Sequence, residues 1–207
     1  METKKINSIL VVIDAQNDFV YGSLKNDEAK KTIPIIAKTV KMFVNKGLPI
    51  IFTQDTHSKE TYLKSQEGRK LPVEHCLFGT IGWEIADEVF RHIDKLHTPY
   101  RVCYKEGFGY QKWKDNYTDC YLQDADHIFI CGFCTDICVI TNALLLKTYY
   151  PEAEIIVLAD CCAGTTHENH RMALEVMKSC QIEVMFDELE VQEGRKETAG
   201  ESIRGDE

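Results

Sequence analysis

Three side chains of complementary chemistry lie far apart in the chain: the thiol of Cys138, the carboxylate of Asp14 and the ammonium of Lys105. Each follows a short apolar run. A carboxylate at such a place can accept a thiol proton and later return it, and an ammonium can steady the charges that develop. Cys138 stands in Cys131-Gly-Phe-Cys-Thr-Asp-Ile-Cys138-Val, where a strand-like run gives way to an apolar helical pattern. A thiol near a helix N-terminus meets the positive end of the helix dipole, which favours thiolate, and unpaired backbone N–H groups there can bind an oxyanion. Taken singly, each residue also has an ordinary reading. Cys138 reads as a core cysteine, Asp14 as a helix cap and Lys105 as a solvated charge.

A second group has the spacing of metal ligands. Asp55 and His57 are one residue apart at a strand end, so their side chains point the same way, and the long segment after them can return His75 as a third ligand. Glu67 or water would be the fourth. Carboxylate and imidazole suit zinc, manganese or iron better than calcium or magnesium, with zinc the first choice. The pattern is short, and surface polarity is the competing reading. His92, His97, His127, His167 and His170 show no ligand spacing. Cys131 and Cys134 form a C-x-x-C pair, but three strand–helix units precede it, unlike a thioredoxin-like layout.

The elements that must position these residues alternate. Apolar, β-branched runs occur at Ser8–Ile13, Leu48–Thr53, Tyr100–Tyr104, His127–Cys131, Glu154–Ala159 and Ile182–Met185. Most are apolar throughout, the pattern of strands buried on both faces. Helical stripes lie between them: Ile33 to Val44 with Gly47 as a stop, Ile85 to Ile93, Ile137 to Leu146, and Ala173 to Met177. Ile137–Leu146 is almost wholly apolar and is expected to be the most buried helix. Alternation of this kind predicts a three-layer αβα, doubly wound domain with a mainly parallel sheet of about six strands. Ligands bind beyond the carboxyl ends of such strands, near the point where strand order reverses. That is where Asp14, Asp55, Lys105, Cys138 and Asp160–Cys162 are expected. The irregular stretch Asp55–Gly82 is too long for an idle connector and reads as a functional loop.

Composition sets the outer limits. In 207 residues, 33 acidic side chains against 24 basic ones give a net charge of −9, and 44% of residues are hydrophobic. One domain over residues 1–190 is expected, followed by a disordered acidic tail at 191–207. The acidic balance argues against nucleic acid and anionic membranes, and no apolar run reaches the ~20 residues that span a bilayer. The N-terminus lacks the pattern of a signal peptide. Nine cysteines, an odd number with crowded spacing, then read as reduced thiols of a cytoplasmic protein. A homo-oligomer is compatible with these features and not required by them.

Ile13-Asp14-Ala-Gln16-Asn-Asp18-Phe19, Asp55-x-His57, Pro72-Val-Glu-His75-Cys76 with Gly79-Thr80, Lys105, and Gly132-Phe-Cys-Thr135-Asp136-Ile-Cys138-Val139 occur in this order. Together they resemble the isochorismatase-like cysteine hydrolases, and within them the nicotinamidase (pyrazinamidase) branch, from about residue 8 to 186. The resemblance implies that Cys138 is the nucleophile, Asp14 the proton acceptor and donor, and Lys105 the third catalytic member. It implies that Asp55, His57 and His75, with Glu67 as a further candidate, hold a divalent metal that binds the pyridine nitrogen of nicotinamide. A cis peptide at Phe133–Cys134 and an oxyanion hole from the N–H groups of Cys134 and Cys138 are also implied. Phe19 matches an aromatic that lines the pocket. Phe108 and Tyr110 are candidates for stacking on the substrate ring, because the tryptophan found before the last metal histidine in some members is absent and Pro72 stands there. Cys134 replaces the usual alanine. The implied reaction converts nicotinamide to nicotinate and ammonia through a cysteine thioester, a step of NAD salvage. Alternatives are a related amidohydrolase acting on a carbamoyl or ureido compound, a thiol–disulfide oxidoreductase, and a non-catalytic metal-stabilised binding module.

Overall fold

The six apolar runs form one parallel sheet in the computed structural model, which describes residues 7–186. The expected acidic tail at 191–207 lies outside the described residues. In chain order the elements are β1 (Ser8–Ile13), α1 (Asn17–Val20), α2 (Asp27–Asn45), β2 (Ile50–Asp55), α3 (Gln66–Lys70), α4 (Asp87–Phe90), β3 (Tyr100–Lys105), α5 (Asn116–Leu122), β4 (His127–Phe133), α6 (Ile140–Tyr149), β5 (Glu154–Ala163), α7 (His167–Ser179) and β6 (Glu183–Met185). The sheet order is β3-β2-β1-β4-β5-β6, with every pairing parallel. α2 packs on α4, and α6 packs on α7. Because the chain winds outward from β1 in one direction and from β4 in the other, right-handed crossovers place these two pairs on opposite faces.

The order reverses between β1 and β4, so the crevice opens where Asp14 leaves one strand and Cys138 follows the other. The chain crosses this point closely. Gly132 of β4 pairs with Ile13 of β1 at φ +123°, and a Cβ there would drive into the Ile13 carbonyl, so only glycine fits.

α2 begins as its sequence dictates. The Asn26 side chain caps the N–H groups of Glu28 and Ala29, Asp27 and Glu28 complement the dipole, and Ile33, Ile36, Val40 and Phe43 turn inward. Gly47 follows the helix at φ +65°. In β1, residues Ile9–Ile13 are wholly enclosed.

Three expectations change. Asp160, Cys161 and Cys162 do not follow β5 but belong to it, because the strand continues past a register shift against β4 at Ile130/Gly132. The stripe from Ile85 to Ile93 forms only the four-residue α4, because the chain turns through Thr98 and Pro99 directly into β3. The apolar segment from Ile137 is not the most buried helix. It starts as a wide π-type turn at Thr135–Val139, and in α6 only Asn142, Ala143 and Leu146 are buried. α6 covers the core with one side, leaving Leu144 and Leu145 half-buried, with Leu145 beside Gly109. Among the described residues, no helix is long and apolar enough to cross a membrane.

Candidate functional site

Parallel strand register brings the distant residues together. Asp55, the last residue of β2, pairs with Lys105, the last of β3, and Asp14 emerges from β1 beside them. Asp14 adopts φ +46°, its backbone N–H donates to Thr53 Oγ1, and Thr53 Oγ1 donates back to Asp14 Oδ1 at 2.7 Å. The other carboxylate oxygen, Oδ2, is buried and forms an ion pair with Lys105 Nζ at 2.7 Å. Lys105 Nζ also reaches Cys138 Sγ at 3.5 Å, Asp55 Oδ1 at 3.3 Å and the Gly107 carbonyl at 3.0 Å. Asp14, Lys105 and Cys138 therefore meet within bonding reach.

Burial shapes the proton inventory of this trio. It raises the Asp14 carboxyl above its ordinary value, with Lys105 working in the opposite direction. It likewise raises the Cys138 thiol well above 9.0, assisted by the Asp14 charge. Burial alone would lower Lys105, but the surrounding Asp14, Cys138 and Asp55 outweigh it and hold the ammonium charged. One cation thus faces several acids in a buried site. Desolvation and the neighbouring carboxylate both favour the neutral thiol over the thiolate, against the helix N-terminus.

The second group also assembles. The loop after β2 returns beside the strand end through a parallel bridge between His57 and Leu77: the His57 N–H donates to the Cys76 carbonyl, and the Phe78 N–H donates to the His57 carbonyl. Ligand atoms of Asp55, His57 and His75 lie within 4.8 Å of one another, the geometry of a metal-holding group. Asp55 Oδ2 is 2.9 Å from His57 Nε2 and 3.4 Å from His75 Nε2. His75 Nδ1 lies 2.9 Å from the Val73 carbonyl, an acceptor, so that nitrogen carries the proton and Nε2 turns toward the group. Glu67 Oε1 lies 3.9 Å from His57 Nε2 and 4.0 Å from His75 Nε2, close enough to join the set. One carboxylate and two imidazoles, with a second carboxylate alongside, fit a divalent transition metal. Without an ion, Asp55 is held far below the ordinary carboxylate range: the hydrogen bonds of both histidines overcome the penalty of burial.

A cavity of about 660 Å³ joins the two groups, with Phe19, Asp55, Glu67, His75, Phe108 and Cys138 on its wall. Its exposed lining is mostly apolar, as expected for a small-molecule site. Phe19 stands edge-on to His75 at 6.0 Å between ring centroids. Phe108 is half exposed at the mouth. Tyr110 is the exception among the candidates. It does not line the cavity, because its ring packs against the buried Trp113 at 5.0 Å and its N–H is taken by Asn142.

The Phe133–Cys134 peptide is cis. The turn after it is tied to the loop following β5, where Asp136 accepts from the N–H and hydroxyl of Thr165 and Thr135 Oγ1 meets His170 Nδ1 at 2.8 Å. Cys134 lines the cavity, but Cys131 is enclosed, and all nine cysteines are free. Burial pushes the Cys134 thiol up to about 12 and Cys131 well above 9.0, the opposite of a reactive dithiol.

Three contributors were not legible as site residues. Thr53 orients Asp14 from inside a strand run and looks like any β-branched strand residue. Tyr62 backs both histidine rings, at 4.8 Å and 5.1 Å, from the middle of the irregular loop. Asn142 had a signal, as a single amide within the apolar Ile-Thr-Asn-Ala-Leu-Leu-Leu run. Its Oδ1 accepts from Tyr110 N–H and Trp113 Nε1–H, and its Nδ2 donates to the carbonyls of Phe108 and Cys138. It thereby joins the Cys138 helix to the loop after β3.

Known proteins resemble this chain over most of its length. The nicotinamidase of Schizosaccharomyces pombe is 24% identical over 210 residues, covering 85% of this chain and 91% of its own. The crystal structure of a nicotinamidase from Bacillus subtilis superposes with a TM-score of 0.73 at 22% identity, covering 86% of this chain and 99% of that one. A pyrazinamidase of Pyrococcus horikoshii, solved in complex with zinc, gives 0.69 at 27% identity over 86% of this chain and 98% of its own. The isochorismatase domain family matches residues 8–186, nearly the whole described chain including every residue discussed above, and the chain belongs to that family.

Proposed function

We propose that the protein is a cysteine amidohydrolase that converts nicotinamide to nicotinate and ammonia. The observation that carries this reading is the buried Asp14 carboxylate, paired through Oδ2 with Lys105, which also reaches the Cys138 thiol, beside a mostly apolar cavity whose wall carries Cys138, Asp55 and His75. The catalytic carboxylate has one oxygen committed to Thr53 and the other paired with Lys105.

Asp14 takes the thiol proton as Cys138 Sγ attacks the carboxamide carbon, and the carbonyl electrons move to oxygen. The N–H groups of Cys134 and Cys138 hold that oxyanion, each such donor typically worth ~3–4 kcal/mol of barrier. Lys105 keeps its positive charge throughout, offsetting the charge that passes from sulfur to oxygen. Collapse of the adduct breaks the C–N bond. Asp14 returns the proton to the departing nitrogen, giving ammonia and a thioester on Cys138. Water then gives a proton to Asp14 and adds to the thioester; collapse breaks the C–S bond, Asp14 returns that proton to the sulfur, and the acid product leaves as nicotinate with its proton lost to solvent. Asp55, His57 and His75, with Glu67 as fourth, would hold a divalent metal, zinc first, which would supply Lewis acidity at the ring-binding side of the site. Phe19 walls the ring on the histidine side, and Phe108 covers the mouth.

NAD salvage is the setting in which this reaction has a use, and a cytoplasmic location is the corresponding proposal. The chain acts on a small molecule, without nucleic acid or membrane as partner. The test is ammonia release from nicotinamide by the purified protein. Turnover that falls on chelation and returns with zinc supports the reading, and no ammonia from the zinc-loaded protein refutes it.

A further inference from the structure

The segment Asp14-Ala-Gln16-Asn-Asp18 places three polar side chains at alternate positions, and the mechanism above uses only the first. Gln16 is completely buried, and its amide grips the backbone of Asp55 from both sides: Oε1 accepts the Asp55 N–H at 2.8 Å, and Nε2 donates to the Asp55 carbonyl at 2.9 Å. The same Nε2 donates to the Trp83 carbonyl at 2.8 Å, anchoring the far end of the long loop. Asp18 reaches the other arm. Its Oδ2 accepts the N–H of Cys76, the residue after His75, at 2.7 Å, and Cys76 is held there at φ +44°. Its Oδ1 accepts the Ser23 N–H at 3.1 Å. Gly22 and Gly82 lie against this carboxylate so closely that a Cβ on either would displace it.

We propose that Gln16 and Asp18 are positioning residues that set Asp55 and His75 at metal-binding separation and tie both to the strand end that carries Asp14. Neither touches the ligand group; each holds the backbone from which a ligand projects. Asp55 is at a strand terminus and His75 lies in the irregular segment 71–86 between α3 and α4, so without these contacts the sequence specifies the ligands but not their separation. The inference rests on the metal reading above, and its test reads metal affinity rather than turnover.

The full chain, stripped by chelation, is titrated with zinc in competition with a chromophoric chelator, and the melting temperature of the metal-free protein is measured in parallel. Gln16→Ala and Asp18→Ala are each expected to weaken zinc about 10–100-fold. Asp18→Asn keeps an oxygen for the Cys76 N–H and is expected to fall between native and alanine. Leu122→Ala, a fully buried change at the amino-terminal rim before β4, is expected to lower the melting temperature with less than a twofold change in affinity. If Gln16→Ala does not fold, Gln16→Glu replaces it, keeping the acceptor for Asp55 N–H and losing the donor. Zinc affinity within twofold of native in the Gln16 and Asp18 variants overturns the proposal, as does a native chain that binds no zinc. A native chain that binds zinc but releases no ammonia from nicotinamide removes the amidase reading and leaves this comparison standing.

Discussion

Asp14 and Asp55, on adjacent strand ends, share one ammonium: Lys105 Nζ lies 2.7 Å from Asp14 Oδ2 and 3.3 Å from Asp55 Oδ1. The thiol centre and the metal-binding group are thus neighbours through a single charged side chain, and β1, β2 and β3 supply one member each. Asp14→Asn keeps the volume and the Thr53 contact but removes the proton acceptor. It is expected to lower kcat/KM for nicotinamide by about 10²–10⁴-fold, with the far-ultraviolet circular dichroism spectrum unchanged.

The pH profile follows from the same burial. Asp14 must be ionised to receive the thiol proton, and its pKa is raised from 3.8, so activity is lost as pH falls through a midpoint above 3.8. On the alkaline side, the Cys138 thiol lies well above 9.0 and Lys105 well above 10.5. The rate is therefore expected to hold a plateau to at least pH 9. A plot of kcat/KM against pH, taken with the metal saturating, checks both limbs. An acid midpoint at or below 3.8 contradicts the assigned base.

Metal removal should act on stability as well as turnover. A ligand bound only by the folded state adds RT ln(1 + [L]/Kd), about 2.7 kcal/mol at one hundred times Kd. Zinc added to the stripped protein is expected to raise the melting temperature by roughly 5–10 °C for a chain of this size. His75→Ala is expected to abolish that rise. Differential scanning fluorimetry with and without zinc is the measurement.

Asn142 makes a prediction about the scaffold. It is fully buried with all four of its contacts to the loop after β3 and to the turn at Cys138. Asn142→Ala strands two N–H groups and two carbonyls and is expected to cost about 2–4 kcal/mol. Urea denaturation followed by tryptophan fluorescence measures it, because Trp113 loses one of those bonds.

The sheet was legible because its central strands are buried and carry long apolar runs; the run Ser8–Ile13 coincides with β1. Cys138, Asp14 and Lys105 could be named because a parallel α/β sheet collects its chemistry at the carboxyl ends of strands. The protonation of Cys138 could not, since it depends on desolvation and on Asp14, a neighbour more than a hundred residues away. Tyr110 was misplaced for a related reason. Its position two residues beyond Phe108 fits either a pocket or a core, and only the packing of Trp113 decides between them. α4 stopped early although its apolar stripe continues, because periodicity records which side chains can face inward and not where the chain must turn to reach β3.

The central claim is a covalent bond between Cys138 and the acyl half of the substrate. The direct measurement is the intact mass of the protein quenched in acid during nicotinamide turnover, with the modified peptide sequenced. The account predicts a nicotinoyl adduct on Cys138, present in the native chain, absent in Cys138→Ala, and accompanied by loss of ammonia release in that variant. Undiminished ammonia release from Cys138→Ala, or turnover by a native chain whose adduct sits on another residue, would contradict it.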